Sequence, residues 1–412
     1  MNGMKWRKTV ALMCALCVWL CPVVAADVGT VIYDDSNGES LQELLGEDEA
    51  AWPTVALPAE GELSIKAKGA VLMDLSSGAM LYEQDSHVRL PIASVTKVMT
   101  LLLVMEALEA GKIAWSDPVT CSATAAAIGG SQIWLEAGEI MTVEELVKAA
   151  AVVSANDACA ALSEHLCGSM AVFVAAMNRR AQELGMQDTE FKDCSGLDDS
   201  GYSSAYDVAL MSRELMKHKD IERFTTIWTD SLRGGQSQLV NTNKLIRHYT
   251  GATGLKTGTT NAAGHCLAAT ARREGTSFVA VVLGCATTDD RWEGARTLLD
   301  YGFAHYVTYT PSAEGLALTP VPVLQGQRAQ VEVRADDPTP LLLEKGVEGK
   351  VQSEIVLAAD LQAPVLAGQT VGVWRLTVGG QVVAEIPIRA VGEVPKVTFR
   401  WAYGLLLDAL LR

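Results

Sequence analysis

Two pairs of short apolar runs bracket a helix-rich block, and no other feature constrains the fold as much. Gly69-Ala70-Val71-Leu72-Met73-Asp74 and Ala79-Met80-Leu81-Tyr82 flank the turn Leu75-Ser76-Ser77-Gly78, a hairpin pattern. Cys266-Leu267-Ala268-Ala269-Thr270-Ala271 and Ser277-Phe278-Val279-Ala280-Val281-Val282-Leu283-Gly284 form a second such pair. A short turn can join two strands only when they run antiparallel. Between the pairs, Val98, Leu101, Leu102, Val104, Met105 and Leu108 recur at helical spacing up to a stop at Gly111, which predicts a helix with one broad apolar side. Residues 115 to 192 read as mostly helical, with Val143 to Val153 the clearest amphipathic segment, and Arg291 to Tyr301 reads as a closing helix. Helices enclosed by antiparallel hairpins imply an α+β domain, here residues 66–310, and exclude a parallel α/β one.

Beyond Pro311 the pattern changes to short alternating strands. Val371 to Val378 and Val382 to Ile388 face each other across Gly379-Gly380, a hairpin-turn pair. A small β-rich domain over 312–394 follows. In the tail, 395–412, Lys396, Arg400, Gly404, Asp408 and Arg412 recur every fourth residue, so on a helix they form one narrow polar line. Aromatic and leucine side chains cover the remainder, which suits a helix lying in a membrane interface; docking on the protein's own core or on a partner is the alternative.

At the other end, Lys5, Arg7 and Lys8 precede an apolar run and Ala25-Ala26, the layout of a secretory signal peptide over 1–26. An exported protein is expected, at the outer face of the cytoplasmic membrane. Residues 27–65 carry ten acidic side chains and no Lys or Arg, which predicts a flexible arm. The formal net charge of -16, with no basic stripe, excludes nucleic-acid binding as the main task. Outside the signal segment six cysteines remain, in no metal-binding spacing, and are expected as buried free thiols.

The chemistry-bearing stretch is Pro91-Ile92-Ala93-Ser94-Val95-Thr96-Lys97, where Ser94 and Lys97 are i and i+3 at a helix start. A serine hydroxyl becomes a good nucleophile once a neighbour takes its proton, and a lysine can do so when burial or a second cation disfavours its charge. Alone, Ser94 reads more readily as a helix cap than as a nucleophile. Two further motifs follow in order: Ser154-x-Asn156 at the end of the amphipathic segment, and Lys256-Thr257-Gly258 ahead of the second hairpin. This trio is the signature of penicillin-binding proteins and class A β-lactamases.

The flanking residues Ala93 to Lys97, Gly129-Gly130-Ser131, Ser154 to Ala158, Tyr202 to Asp207, Asn241 to Leu245 and Thr253 to Gly258 closely resemble the low-molecular-mass penicillin-binding proteins that act as serine-type D-Ala-D-Ala carboxypeptidases. The resemblance implies a β-lactamase/transpeptidase-like catalytic domain, an antiparallel sheet flanked by helices, followed by a small all-β domain and an amphipathic C-terminal helix. It implies that Ser94 is acylated, Lys97 accepts its proton and Ser154 relays it. Asn156 would hold Lys97 and the acyl amide, Lys256 would supply positive charge, and Thr257, in the Lys256-Thr257-Gly258 motif, would bind the substrate carboxylate. Backbone N–H groups of Ser94 and Thr259 would form the oxyanion hole. Arg291 is either a second carboxylate ligand or an exposed helix residue.

The implied substrates are peptidoglycan stem peptides ending in D-Ala-D-Ala, with β-lactams as covalent inhibitors, the membrane surface as a partner through 396–412, and no cofactor or metal. A transpeptidase, endopeptidase or β-lactamase on the same scaffold is the alternative. The Glu-x-x-Leu-Asn element expected of a class A β-lactamase does not occur between Asn156 and Lys256.

Overall fold

The computed structural model describes residues 63–412 and, before them, the backbone of a three-residue strand, Thr30–Ile32. The predicted signal peptide and the rest of the arm up to residue 62 lie outside the described residues. Thr30–Ile32 pairs in parallel with Ser237–Leu239. Ile65, assigned by sequence to the arm, is buried in a hydrophobic core with Leu72 and Trp292, and its amide donates to Gln84 Oε1 at 3.1 Å.

The two predicted hairpins belong to one sheet. Strands β1 (Gly69–Asp74), β2 (Met80–Gln84), β3 (Ala252–Thr260), β4 (Gly264–Arg273) and β5 (Thr276–Cys285) lie in the order β2-β1-β5-β4-β3, every neighbour antiparallel. The first and last hairpins therefore meet along β1 and β5. Lys256-Thr257-Gly258, expected ahead of the strands, is itself in the edge strand β3.

Both faces of this sheet are covered, which is why β5 reads as a continuous apolar run rather than an alternating one. Its Val279, Val281 and Leu283 enter the core shared with the helices, while Phe278, Ala280 and Val282 face the opposite core. The helical layer holds α1 (Lys97–Glu109), α2 (Val143–Val152), α3 (Asn156–Cys167), α4 (Met170–Glu183) and α5 (Ala205–Leu215); α6 (Thr288–His305) covers the other face.

Three expectations change here. Helix α1 does not present one apolar side: nine of its residues, Lys97 and Thr100 among them, are buried, because it runs through the core and apolar packing surrounds it. The stretch expected to be mostly helical from residue 115 begins instead with a two-stranded pair, Pro118–Thr120 and Ile140–Thr142, and a one-turn helix, Ala123–Ala126. A further short hairpin, Thr229–Leu232 with Ser237–Val240, carries no alternating apolar signal strong enough to predict it.

The six cysteines are free thiols, five of them buried. Burial pushes the Cys159 thiol up to about 12 and Cys266 up to about 11, so both remain unreactive thiols in the native protein.

In the C-terminal β domain, β6 (Thr370–Val378) and β7 (Gln381–Ala390) pair across Gly379 and Gly380, whose positive φ of 57° and 83° the turn requires. Trp374, Leu376 and Ile388 fill its core. Tyr306–Tyr309, immediately after α6, pairs with Leu341–Glu344 of this domain. The tail helix α7 (Phe399–Leu411) is capped by Thr398 Oγ1, and none of its residues is buried. It is not docked on the protein's own core; Phe399 is 86% exposed and Leu411 84%.

Candidate active site

Ser94 lies on a 3-10 turn, Ala93–Thr96, that runs directly into α1 at Lys97, rather than on the first turn of the α-helix. Residues three apart eclipse on such a turn, and Lys97 Nζ accordingly donates to Ser94 Oγ at 2.7 Å. The same amine donates to Ser195 O at 2.9 Å, and the lysine is fully buried. Burial works against the ammonium form of a lysine, the condition for it to act as a proton acceptor.

Two backbone segments press closely on this turn. A Cβ on Gly258 of β3 would stand 2.6 Å from Ile92 O and 3.0 Å from Ser94 N. One on Gly196 would stand 1.8 Å from Ala93 O, and Gly196 has a φ of +79°. Both contacts require glycine. Ala93 itself is held at φ +47°, a strained conformation for a residue with a side chain. The loop bearing Gly196 is shaped by Asp193, whose carboxylate accepts from the amides of Ser195 and Asp198, both at 2.5 Å, and of Gly196. That arrangement aims Ser195 O at Lys97.

The second motif stands where α2 ends. Ser154 adopts φ +63° between α2 and α3 and is 1% exposed, and among the described residues its Oγ has no hydrogen-bond partner. Asn156 opens α3; its amide donates to Ser131 O at 2.7 Å and its Nδ2 to Gly129 O at 2.8 Å, while its Oδ1 is unpartnered among the described residues. Asp157 accepts from the amides of Ile133 and Leu135, clamping the loop 129–135 to the start of α3. Burial raises the Asp157 pKa against these hydrogen bonds, which favour its ionised form.

From β3, Lys256 is buried and donates to Thr257 O at 3.1 Å, and Thr257 Oγ1 donates to Thr242 Oγ1 at 2.8 Å. Arg291 is not an exposed helix residue: it is fully buried on the first turn of α6, its guanidinium 4.3 Å above the Trp292 ring. Its Nη1 donates to Thr259 Oγ1 at 3.2 Å, so it braces the strand from behind. Arg291 is not among the residues that line the cleft; it reaches the site through its hydrogen bond to Thr259.

A narrow cleft lies between β3 and the helical layer, lined by Ser94, Ser131, Ser154, Asn156, Leu197 and Thr257 to Thr260. Ser94, Ser154, Asn156, Thr257, Gly258 and Thr259 thus converge, with Lys97 and Lys256 buried among them. Sequence reasoning assigned no role to Ser131, the Ser195-Gly196-Leu197 segment or Thr260. The signal for the second of these was an Asp followed two and three residues later by Ser-Gly, a turn signature. His265, one of six histidines assigned no site, has its Nδ1 3.5 Å from Thr259 Oγ1.

A serine held against a buried lysine, with a second buried serine and a backbone-lined cleft, defines an acyl-transferring serine enzyme without a histidine base. Comparison with known proteins agrees. The sequence pattern of the D-alanyl-D-alanine carboxypeptidase family matches residues 55–287, and that of the penicillin-binding protein 5 C-terminal domain matches 306–396. D-alanyl-D-alanine carboxypeptidase DacF of Bacillus subtilis is 42% identical over 343 residues, 82% of this chain and 88% of that protein.

Among solved structures, penicillin-binding protein 5 from Haemophilus influenzae superposes with a TM-score of 0.71 at 30% identity, covering 83% of this chain and 100% of the other. Penicillin-binding protein D2 from Listeria monocytogenes in its ampicillin-bound form gives a TM-score of 0.52 at 32% identity, over 59% of this chain and 99% of that one. The chain belongs to the D-alanyl-D-alanine carboxypeptidase family and is a serine-type peptidase.

Proposed function

We propose that this enzyme removes the terminal D-alanine from peptidoglycan stem peptides through an acyl-enzyme on Ser94, limiting the cross-linking of the wall. The observation that carries the reading is the 2.7 Å hydrogen bond between the fully buried Lys97 and Ser94 Oγ. Lys97 takes the serine proton as Oγ attacks the penultimate D-alanine carbonyl. Ser154 Oγ, buried and without a partner among the described residues, returns a proton to the leaving amine. The backbone amides of Ser94 and Thr259 stabilise the oxyanion, Asn156 steadies the acyl amide, and Lys256 with Thr257 attracts the terminal carboxylate. Water then hydrolyses the ester. A β-lactam acylates the same serine.

The test is D-alanine release from a synthetic pentapeptide ending in D-Ala-D-Ala, measured beside transfer to an amine acceptor. Release without transfer is expected; transfer dominating at millimolar acceptor would replace the hydrolase reading with a transpeptidase one.

The enzyme acts after export, held at the outer face of the cytoplasmic membrane by α7. What supports this is the wholly unburied leucine-rich face of a 13-residue helix. Among the described residues no single helix is long and apolar enough to cross a membrane; the length and composition of α7 suit a helix lying in the membrane interface. The protein is expected to co-sediment with anionic liposomes and to lose that property when residues 396–412 are deleted; equal sedimentation of both forms would rule the anchor out.

A further inference from the structure

Beside the cleft, the loop that contributes Ser131 carries a tryptophan whose presence folding does not explain. Trp134 is 56% exposed although Ile133 and Leu135 on either side are buried. It is held at φ +50°, a conformation that suits glycine or asparagine and is an outlier for a bulky residue. The strain is imposed from both flanks: the Ile133 and Leu135 amides are bound by Asp157, next to Asn156 of the active site, and Arg233 Nη1 donates to Ile133 O at 3.0 Å. A rigid, strained, water-exposed indole is the pattern expected of a site that binds something.

Its surroundings say what. Trp134 shares a pocket with Glu136, Glu139, Arg233, Gln236 and Ser237. Arg233 and Glu139 are locked together by Nε to Oε1 at 2.7 Å and Nη2 to Oε2 at 3.1 Å, and Arg233 also donates to Ser237 Oγ at 3.0 Å. An exposed aromatic face beside the Glu136, Glu139 and Gln236 side chains suits a pyranose ring, whose C–H face packs on the indole while its hydroxyl groups meet this polar rim; Arg233, its N–H groups taken by Glu139, Ser237 and the carbonyls of Ile133 and Trp134, holds the rim in place. The pocket lies near the cleft: Trp134 is three residues from Ser131, which lines the cleft, a span of at most about 10 Å. The three residues of a pentapeptide left over once its last two occupy the cleft also span about 10 Å when extended.

We propose that the Trp134 pocket is a glycan subsite, holding the amino sugar that bears the stem peptide while its D-Ala-D-Ala end lies against Ser94. The inference rests on the carboxypeptidase reading above. It is tested by comparing kcat/KM for D-alanine release from a soluble disaccharide-pentapeptide and from the same pentapeptide N-acetylated and lacking sugar. The full-length enzyme should prefer the sugar-bearing substrate by about tenfold, through KM, as one aromatic packing contact with its hydrogen bonds supplies. Trp134→Ala should bring the two values together, and Trp134→Phe, which keeps an aromatic face, should restore most of the preference.

Equal kcat/KM for both substrates in the unaltered enzyme would overturn the subsite, as would an alanine variant that slows both substrates alike, which marks a structural role. Activity on the free pentapeptide in either case leaves the carboxypeptidase reading standing. No release from either substrate overturns both.

Discussion

Replacing Lys97 with methionine is expected to leave a folded protein that a fluorescent penicillin labels at least about 10³-fold more slowly, since it deletes the group that takes the serine proton. Methionine nearly matches the buried volume of the lysine stem, so α1 keeps its packing in the core. The losses on the structural side include the hydrogen bonds to Ser94 Oγ and to Ser195 O, the latter about 1–3 kcal/mol if that carbonyl is left unsatisfied. Removal of a buried amine offsets part of them. Thermal unfolding within a few degrees of the unaltered enzyme, together with the rate loss, separates chemistry from folding. Ser94→Ala in the same assay should take up no label at all. A Lys97→Met variant that acylates at the original rate would show that another group takes the proton, and an alanine variant that labels would show that the nucleophile is elsewhere.

The second large effect concerns a residue with no reactive atom. Gly196→Ala would drive a Cβ to 1.8 Å from Ala93 O and 2.8 Å from Thr96 Oγ1, in a backbone conformation with φ +79° that itself disfavours alanine. The left-handed conformation alone costs roughly 1–2 kcal/mol. The collision is with backbone, so relief requires the Ser94 turn or the Asp193 loop to move, and a shift of about 1 Å at a reacting atom lowers catalysis on the order of 10²-fold.

A total destabilisation of about 3 kcal/mol would lower Tm by roughly 6–12 °C in a domain of this size. The control is Gly168, also at positive φ (+76°) at the end of α3, where an added Cβ meets nothing within 4 Å. Gly168→Ala should show the conformational term alone, with unchanged penicillin acylation. Equal behaviour of the two variants would mean that contact with the Ser94 turn is not what Gly196 supplies.

What the sequence determined by itself is the part of the protein written in local spacing. The apolar runs of β1, β4 and β5 and the turn at Gly379-Gly380 follow from period and turn chemistry acting over a few residues. The proximity of Ser94 and Lys97 is also local, because three residues on a tight turn leave their side chains nowhere else to go. The three motifs were legible in the same way, each within three or four positions.

Tertiary structure alone decided the contacts between residues far apart in the chain. That Lys97 donates to Ser195, 98 positions away, depends on where the Asp193 loop is carried by α4 and returned by α5. Arg291 could be read as exposed because its helix shows no clean apolar stripe; its burial comes from the packing of α6 against the sheet, chiefly β5 and β4. Gly196 and Gly258 look like ordinary loop and strand glycines until two backbones are brought within contact distance of one turn. Trp134 lies in a stretch that reads as mostly helical; only the fold shows its neighbours pinned inward by Asp157, leaving it in water beside the cleft. Local propensity carries no information about such long-range closures, since they are set by how the sheet and helical layer pack as a whole.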